Sequence, residues 1–221
     1  MTRLLKKLLT ICFLFSLIVF PQACKDKVAS VDTGPDDEVA VLDTDYGRIV
    51  WEFYPKDAPN HVATFKKLIR DHFFDGTAFH RIDLVSGVIQ GGDPNTKTKP
   101  NDPATWGMGE PNQPKIKAEF NDHSNVRGAV GAARSGDPDS AASQFFINIR
   151  DNPGFDQPGN QYTVFAHVIE GMNVVDIIAN APSDKTAQFP RPLERINICK
   201  AYLVKRDQLS KLQDPSASCK P

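Results

Sequence analysis

The fold is decided by one stretch, Phe79–Asp93, which reads FHRIDLVSGVIQGGD. Its apolar residues are typical of strands that are buried on at least one side. Arg81 and Gln90 interrupt this apolar run. A permanent cation and an amide are costly to bury unless the protein uses them. In isolation, the commoner interpretation of these residue types is a surface arginine and a turn glutamine.

A second stretch, Ser143–Ile147, reads SQFFI and changes that interpretation. Neighbouring side chains on a strand point to opposite faces, so we expect one of Phe145 and Phe146 inside and the other outside. Together, the segments FHR…QGGD and SQFFI resemble the two signature segments of the cyclophilin-type peptidyl-prolyl isomerases. The resemblance extends from about Val39 to Leu203.

The pattern along the chain favours a mainly β fold. Short strand-like segments recur, beginning with a hairpin over Val39–Phe53, and only two helices are predicted. One helix has Asp57 as its candidate N-cap and carries His61, which we expect to face solvent, and the other is Met172–Ala179. Many short strands favour a closed antiparallel barrel. The resemblance implies eight strands, a helix at each end, a packed interior and an active groove on the outer face.

The composition excludes several function classes. The chain has 221 residues, 40% of them hydrophobic and 24% charged, with a formal net charge of −1. This is an ordinary globular composition without the basic face that nucleic acid requires. The five histidines are scattered, and the metal motif H-E-x-x-H, the pair C-x-x-C and the nucleophile motif G-x-S-x-G are all absent. We therefore expect no metal and no cofactor.

The N-terminal segment, residues 1–23, reads as a secretory signal. Basic residues precede an apolar run of 13 residues, Leu8–Phe20, which is too short for a typical membrane span. Cys24 follows the small residue Ala23, as in bacterial lipoprotein signals, where the cysteine is lipidated. Pro21 and Gln22 depart from that pattern. The alternative is an ordinary signal peptide that is cut near Ala23.

Four segments follow from this organisation. Residues 1–23 are the signal peptide, residues 24–37 a flexible tether, residues 38–205 the cyclophilin-like domain and residues 206–221 a loose C-terminal tail. We expect an exported, membrane-anchored lipoprotein of the cell envelope, facing the periplasm or the exterior. In an oxidising compartment Cys199 and Cys219 can pair.

The resemblance implies roles for individual residues. Arg81 donates toward the prolyl nitrogen as the Xaa-Pro bond twists, Gln90 anchors the peptide and supports Arg81, and Phe146 is the wall of the proline pocket. A phenylalanine of the core is the alternative role for Phe146. The remaining predicted substrate-binding residues are His80, Ala133, Arg134, Gln144, Phe155 and Tyr162.

The implied function is isomerisation of Xaa-Pro bonds in proteins that fold in the cell envelope, by a monomer whose partners are proline-containing polypeptides. Two alternatives remain: a proline-binding module or chaperone with little turnover, and a structural envelope protein. The segment between Arg81 and Gln90 bears on the choice, because it has eight residues where the family usually has seven, and none is aromatic. Gly87 and Val88 lie nearest the missing Phe-Met pair. Alternatively, a bulge leaves Gly87 outside the groove, and the loop Asp93–Lys115 supplies Trp106 instead.

Overall fold

Antiparallel β-sheet makes up most of the regular structure of the chain, for which a computed structural model describes residues 37–184, 190–215 and 219. The predicted signal peptide, the lipidation site at Cys24 and all but the last residue of the tether lie outside the described residues. The strands are β1 (Glu38–Thr44), β2 (Gly47–Phe53), β3 (Thr77–Phe79), β4 (Arg81–Asp83), β5 (Val88–Gly91), β6 (Ala129–Ala132), β7 (Phe145–Asn148), β8 (Val164–Glu170), β9 (Ser183–Asp184), β10 (Arg191–Pro192) and β11 (Ile196–Lys205).

Helices are few and short. The α-helices are α1 (Pro59–Arg70), α2 (Asn95–Thr98) and α3 (Met172–Ala179). The 3-10 helices are Pro103–Thr105, Pro138–Ser140, Pro153–Asp156 and Arg206–Lys211. The helices α1 and α3 are the two that the sequence predicts. Within the described ranges, none of the helices has the length and apolar character needed to cross a membrane.

The main sheet curls into a nearly closed barrel. Nine strands pair antiparallel in the order β3-β11-β1-β2-β8-β6-β7-β5-β4. The edge strands β3 and β4 are consecutive in the chain and are separated only by His80. The His80 N–H donates to the Gln90 carbonyl at 3.0 Å, which extends the β4–β5 ladder through this break. The predicted fold class is therefore confirmed: β3 and β4, counted as one interrupted strand, give the eight strands that we expected.

The barrel interior is filled by large side chains. The rings of Trp51 and Phe145 lie 4.7 Å apart, and those of Phe65 and Phe165 lie 4.2 Å apart. Burying each such ring contributes about 1.5–3 kcal/mol to folding. Phe145 belongs to this core, whereas Phe146 does not and points to the outer face. Because the interior is packed, a binding site on this barrel has to lie on its outer surface.

The start of α1 differs from the prediction. Ala58 is the N-cap and makes no side-chain cap, so Asp57 was the wrong choice. The Glu119 carboxylate instead accepts from the N–H groups of Asn60 and His61, each at 2.9 Å, and contacts His61 Nδ1 at 2.6 Å. His61 is fully buried, so our prediction that it faces solvent was also wrong. Burial lowers the pKa of His61, although Glu119 opposes the shift.

The C-terminal residues pack on the outside of the sheet. Leu209 and Leu212 contact an apolar cluster of Val39, Val41 and Val50 on β1 and β2. A disulfide bond joins Cys199 to Cys219, which confirms the predicted pair. The composition predicted a loose tail, but its described residues are held against the barrel by these contacts.

Candidate active site

A cavity of about 760 Å³ opens on the outer face of the barrel. Strands β4, β5 and β7, the long loop Asp93–Lys115 and the segments 133–142 and 155–162 all contribute to its lining. All nine predicted catalytic and substrate-binding residues line the cavity. They are His80, Arg81, Gln90, Ala133, Arg134, Gln144, Phe146, Phe155 and Tyr162.

A chain of side-chain hydrogen bonds fixes the predicted catalytic pair. Arg81 and Gln90 are direct cross-strand partners on β4 and β5. Arg81 Nη1 donates to Gln90 Oε1 at 3.3 Å, and Gln90 Nε2 donates to Gln144 Oε1 at 2.9 Å. Gln144 Nε2 in turn donates to the Gly107 carbonyl at 3.1 Å, which connects the pair to the long loop. Arg81 and Gln90 are therefore in contact, as predicted, and Gln144 holds Gln90 from its other side-chain atom.

Asp83 contacts the predicted catalytic arginine and was not predicted from the sequence. Its carboxylate forms an ion pair with Arg81 Nη2 and accepts from both the N–H and the hydroxyl of Ser86, each at 2.8 Å. Burial acts to raise the pKa of Asp83, but the Ser86 hydrogen bonds and the Arg81 charge outweigh it and lower the pKa. An available signal was the spacing, because residues two apart on a strand share a face.

Three rings form the aromatic wall of the cavity: Phe146, Phe155 and Tyr162. Their centroids are 4.8–5.7 Å apart, and Tyr162 meets Phe146 edge to face. Phe146 lies across from Gly131 on β6. A Cβ at Gly131 would be 2.2 Å from the Phe146 ring, so only glycine allows this position of the ring. The predicted outward orientation of Phe146 is confirmed.

The extra residue between Arg81 and Gln90 lies in the turn between β4 and β5. The β4–β5 register runs without a shift, so no bulge forms in these strands. Gly87 has φ +70° and faces Arg150, whose Nε would be 2.7 Å from an added Cβ. Val88 lines the cavity, whereas Gly87 does not. Of the two positions predicted nearest the missing aromatic pair, only Val88 is therefore in the groove.

The long loop contributes a second apolar wall, made by Pro103, Ala104, Trp106 and Met108. Trp106 Nε1 donates to the Lys99 carbonyl at 3.0 Å, and the Arg195 guanidinium lies 5.5 Å from a Trp106 ring centroid. The first contact lies within the loop, and the second connects the loop to Arg195, which immediately precedes β11. Trp106 also lines the cavity. The structure thus places Trp106 at the groove, as the second alternative predicted, but without the bulge that this alternative assumed.

His80 lines the cavity but is almost completely buried. It is only 4% exposed, and Gly107 of the long loop packs close to its ring, since a Cβ there would be 3.5 Å from His80 Cδ2. Burial lowers the pKa of His80 to about 4, although the Asp93 carboxylate opposes the shift. His80 is therefore neutral at ordinary pH and can contribute shape and polarity but no charge to the groove.

Ala133 and Arg134 border the aromatic wall. The Ala133 N–H donates to the Gln144 carbonyl at 3.0 Å, so this donor is already used within the protein. The Arg134 guanidinium donates twice to the Gln161 carbonyl, at 2.7 and 3.1 Å, and lies 4.5 Å from the Tyr162 ring centroid. Arg134 therefore presents a fixed side chain, in addition to its backbone, to a ligand in the groove.

Possible metal ligands lie elsewhere. Within the described ranges, one group of three such residues, Asp45, Cys199 and Cys219, has its ligand atoms within 4.8 Å of one another. Both sulfurs are in the disulfide bond and do not offer thiolate ligands. None of the three lines the cavity.

The cavity offers what rotation about a prolyl bond requires. The barrier is about 18–20 kcal/mol, because twisting breaks amide resonance. No covalent bond forms, so an apolar hole for the ring and a donor for the pyramidal nitrogen suffice. Stabilising the twisted state by about 5–7 kcal/mol would accelerate rotation by about four to five powers of ten. The aromatic wall with Val88 offers an apolar surface for such a ring, and Arg81, in contact with Gln90 and Asp83, offers a donor.

Comparisons with known proteins agree with this geometry. Residues 39–202 match the family model described as cyclophilin type peptidyl-prolyl cis-trans isomerase/CLD. The chain belongs to this family and is an enzyme of the peptidyl-prolyl cis-trans isomerase class. A probable peptidyl-prolyl cis-trans isomerase of Brucella abortus is 36% identical over 167 residues, which cover 75% of this chain and 83% of that protein. Isomerase B of Escherichia coli is 38% identical over 152 residues, or 65% of this chain and 85% of the relative.

Solved structures show the same fold. A Cryptosporidium parvum cyclophilin-type isomerase, crystallised in the presence of the dipeptide Ala-Pro, superposes with a TM-score of 0.63 at 24% identity. The match covers 75% of this chain and 98% of the other. The cyclophilin AquaCyp293 from Hirschia baltica gives a TM-score of 0.59 at 23% identity, covering 78% of this chain and 75% of the other.

Proposed function

We propose that this isomerase acts on exposed Xaa-Pro bonds of proteins that fold in the cell envelope. The observation that carries the chemistry is the placement of Arg81, held by Gln90 and Asp83, at an apolar cavity whose wall includes Phe146. The proline ring enters between Phe146 and Val88, and the guanidinium stabilises the nitrogen lone pair that forms as the bond twists. Arginine suits this role because its charge is permanent and its donors are fixed in a plane.

Replacement of Arg81 tests the chemistry. We expect Arg81→Ala to lower kcat/KM by a factor of about 10²–10³, as does the loss of one preorganised donor in other enzymes. Arg127→Ala is the matched control, because Arg127 is paired with Asp176 and does not line the cavity. Turnover of a short Xaa-Pro peptide and the thermal midpoint are measured for each variant. Activity of Arg81→Ala within a factor of about three of wild type would show that the assigned mechanism is wrong.

We further propose that the protein is exported and anchored through a lipid on Cys24. The sequence of residues 1–23 supports export, and the polar tether up to Asp37 supports a domain held away from a membrane. The Cys199–Cys219 disulfide is an independent argument, because such bonds persist in oxidising compartments. The cavity is complete within one chain, which supports action as a monomer.

The location has its own experiment. Intact-mass measurement of the exported protein should show a chain that begins at Cys24 and carries the added mass of lipid. Cys24→Ser should release the protein from the membrane fraction without changing its turnover. An unmodified N-terminus at another residue would contradict the anchor and leave the isomerase assignment in place.

A further inference from the structure

The cavity is bordered by positive charge. Four cations line it, namely Arg81, Lys115, Arg134 and Arg191, and no acidic side chain is among its described lining residues. The whole chain has a formal net charge of −1. The concentration of cations is therefore a property of this surface and does not follow from an excess of basic residues in the composition.

Nearby acids neutralise only part of this charge. Asp83 forms an ion pair with Arg81, and Asp184 lies 3.9 Å from Arg191. In the part of the chain that the structure describes, no carboxylate oxygen lies within 4.0 Å of the charged nitrogens of Lys115 or Arg134. Lys115 and Arg134 therefore carry charges that no carboxylate pairs with in the described residues, although the Arg134 guanidinium also donates to the carbonyls of Gln161 and Ser135.

The acids on the neighbouring turn are engaged in backbone contacts. Asp137 accepts from the N–H of Asp139 at 2.9 Å, and Asp139 accepts from the N–H of Ala118 at 2.8 Å. Both side chains are outside the lining of the cavity. The Asp137 carboxylate is thus directed to its own turn and the Asp139 carboxylate to the segment that follows Lys115. Neither forms an ion pair within 4.0 Å with Lys115 or Arg134.

Arg134 is held close to where the proline ring binds. Its guanidinium lies 4.5 Å from the Tyr162 ring centroid, and that centroid lies 5.2 Å from the centroid of Phe146. The donor contacts to the Gln161 carbonyl fix the guanidinium on this ring. A residue adjacent to the bound proline is therefore within reach of its charge. A cleft of one sign with low-dielectric walls concentrates the field on such a ligand.

From this arrangement we propose that the enzyme prefers Xaa-Pro segments that carry an acidic side chain next to the proline. The proposal rests on the proposed isomerase function and adds a substrate class to it. Lys115 and Arg134 are the specificity-determining residues. Their attraction acts on the planar and the twisted peptide alike, so it should lower KM and leave kcat little changed.

A peptide series tests the preference. Peptides that differ only in the residue before the proline, Glu, Gln or Lys, are compared, with a second set that varies the residue after it. Exchange rates are measured by NMR, because a coupled protease has charge preferences of its own. At low ionic strength we expect kcat/KM for the best Glu peptide to exceed that of its Lys counterpart by about three- to tenfold, and the ratio to fall toward one in about 1 M salt.

Two lysine variants locate the effect. Lys115→Glu should lower the Glu-to-Lys ratio severalfold, whereas Lys117→Glu should lower it much less. Both side chains are exposed, but only Lys115 lines the cavity, so the second variant controls for net charge. Equal acceleration of all the peptides would overturn the charge preference and leave the isomerase intact. Acceleration of none of them would overturn the isomerase function, and the preference with it.

Discussion

Replacement of Asp83 by asparagine tests how the catalytic arginine is held. Asparagine keeps the shape of the side chain and removes its charge. In the structure Asp83 is 9% exposed and Arg81 25% exposed at the side chain, so their ion pair is only partly screened by water. A hydrogen bond to a charged group contributes about 1.5–3 kcal/mol. With this exposure taken into account, we expect Asp83→Asn to lower the free energy of unfolding by about 1–2 kcal/mol, or the thermal midpoint by about 2–8 °C.

The catalytic effect is expected in kcat. Without the ion pair, the Arg81 guanidinium keeps its 3.3 Å contact with Gln90 but samples more orientations. Loss of about 1–2 kcal/mol of transition-state stabilisation lowers kcat by a factor of about 5–30. KM should change little, because Val88 and the aromatic wall are untouched.

Two further variants complete the test. Asp83→Glu should recover part of the turnover, because it restores the charge. Ser86→Ala removes one hydrogen bond to Asp83 and keeps the ion pair, so it should reduce stability more than turnover. A kcat for Asp83→Asn within about twofold of wild type, with a lower thermal midpoint, would limit Asp83 to a structural role. A higher kcat would mean that the carboxylate attenuates Arg81 and does not position it.

Two other predictions follow from the buried histidine and the long loop. Burial lowers the pKa of His80 to about 4, so between about pH 6.5 and 4 the folded state binds fewer protons than the unfolded state. The free energy of unfolding should therefore fall by about 3 kcal/mol as the pH is lowered through this window. In urea unfolding, His80→Gln should show a weaker pH dependence of stability than wild type, whereas His72→Gln, at an exposed histidine, should not. The same pH dependence in both variants would refute the role of His80. Trp106→Ala should raise KM about three- to tenfold with kcat less affected, and an unchanged KM would show that the loop wall does not touch substrate.

Local periodicity accounts for what the sequence predicted correctly. The two-residue repeat of a strand separates Phe145 from Phe146, and the structure places the first in the core and the second at the cavity. The same repeat would have paired Arg81 with Asp83 if it had been applied to β4. The hydrogen bond between Arg81 and Gln90 was implied by the family resemblance and is present because the two residues are cross-strand partners.

Contacts between distant segments account for what the sequence did not show. His61 was expected to face solvent, but Glu119, 58 residues away, contacts it and caps the helix. Gly87 looked close to the groove by residue count, yet the hairpin register assigns it to the turn beside Arg150. In each case the deciding partner lies on another segment, and spacing along one element does not reveal it.

Gly92 and Asp93, at the end of the stretch Phe79–Asp93, help to hold the loop that brings Trp106 to the cavity. Gly92 has φ +83°, and a Cβ there would be 2.4 Å from the Ser143 carbonyl, so the chain turns tightly against β7 at this point. Asp93, which is fully buried, then accepts from the N–H groups of Gly107 and Gly109, the second at 3.1 Å. These bonds fix the part of the loop that carries Met108 and follows Trp106. One short segment therefore orients Arg81 through Gln90 and positions the apolar wall opposite it.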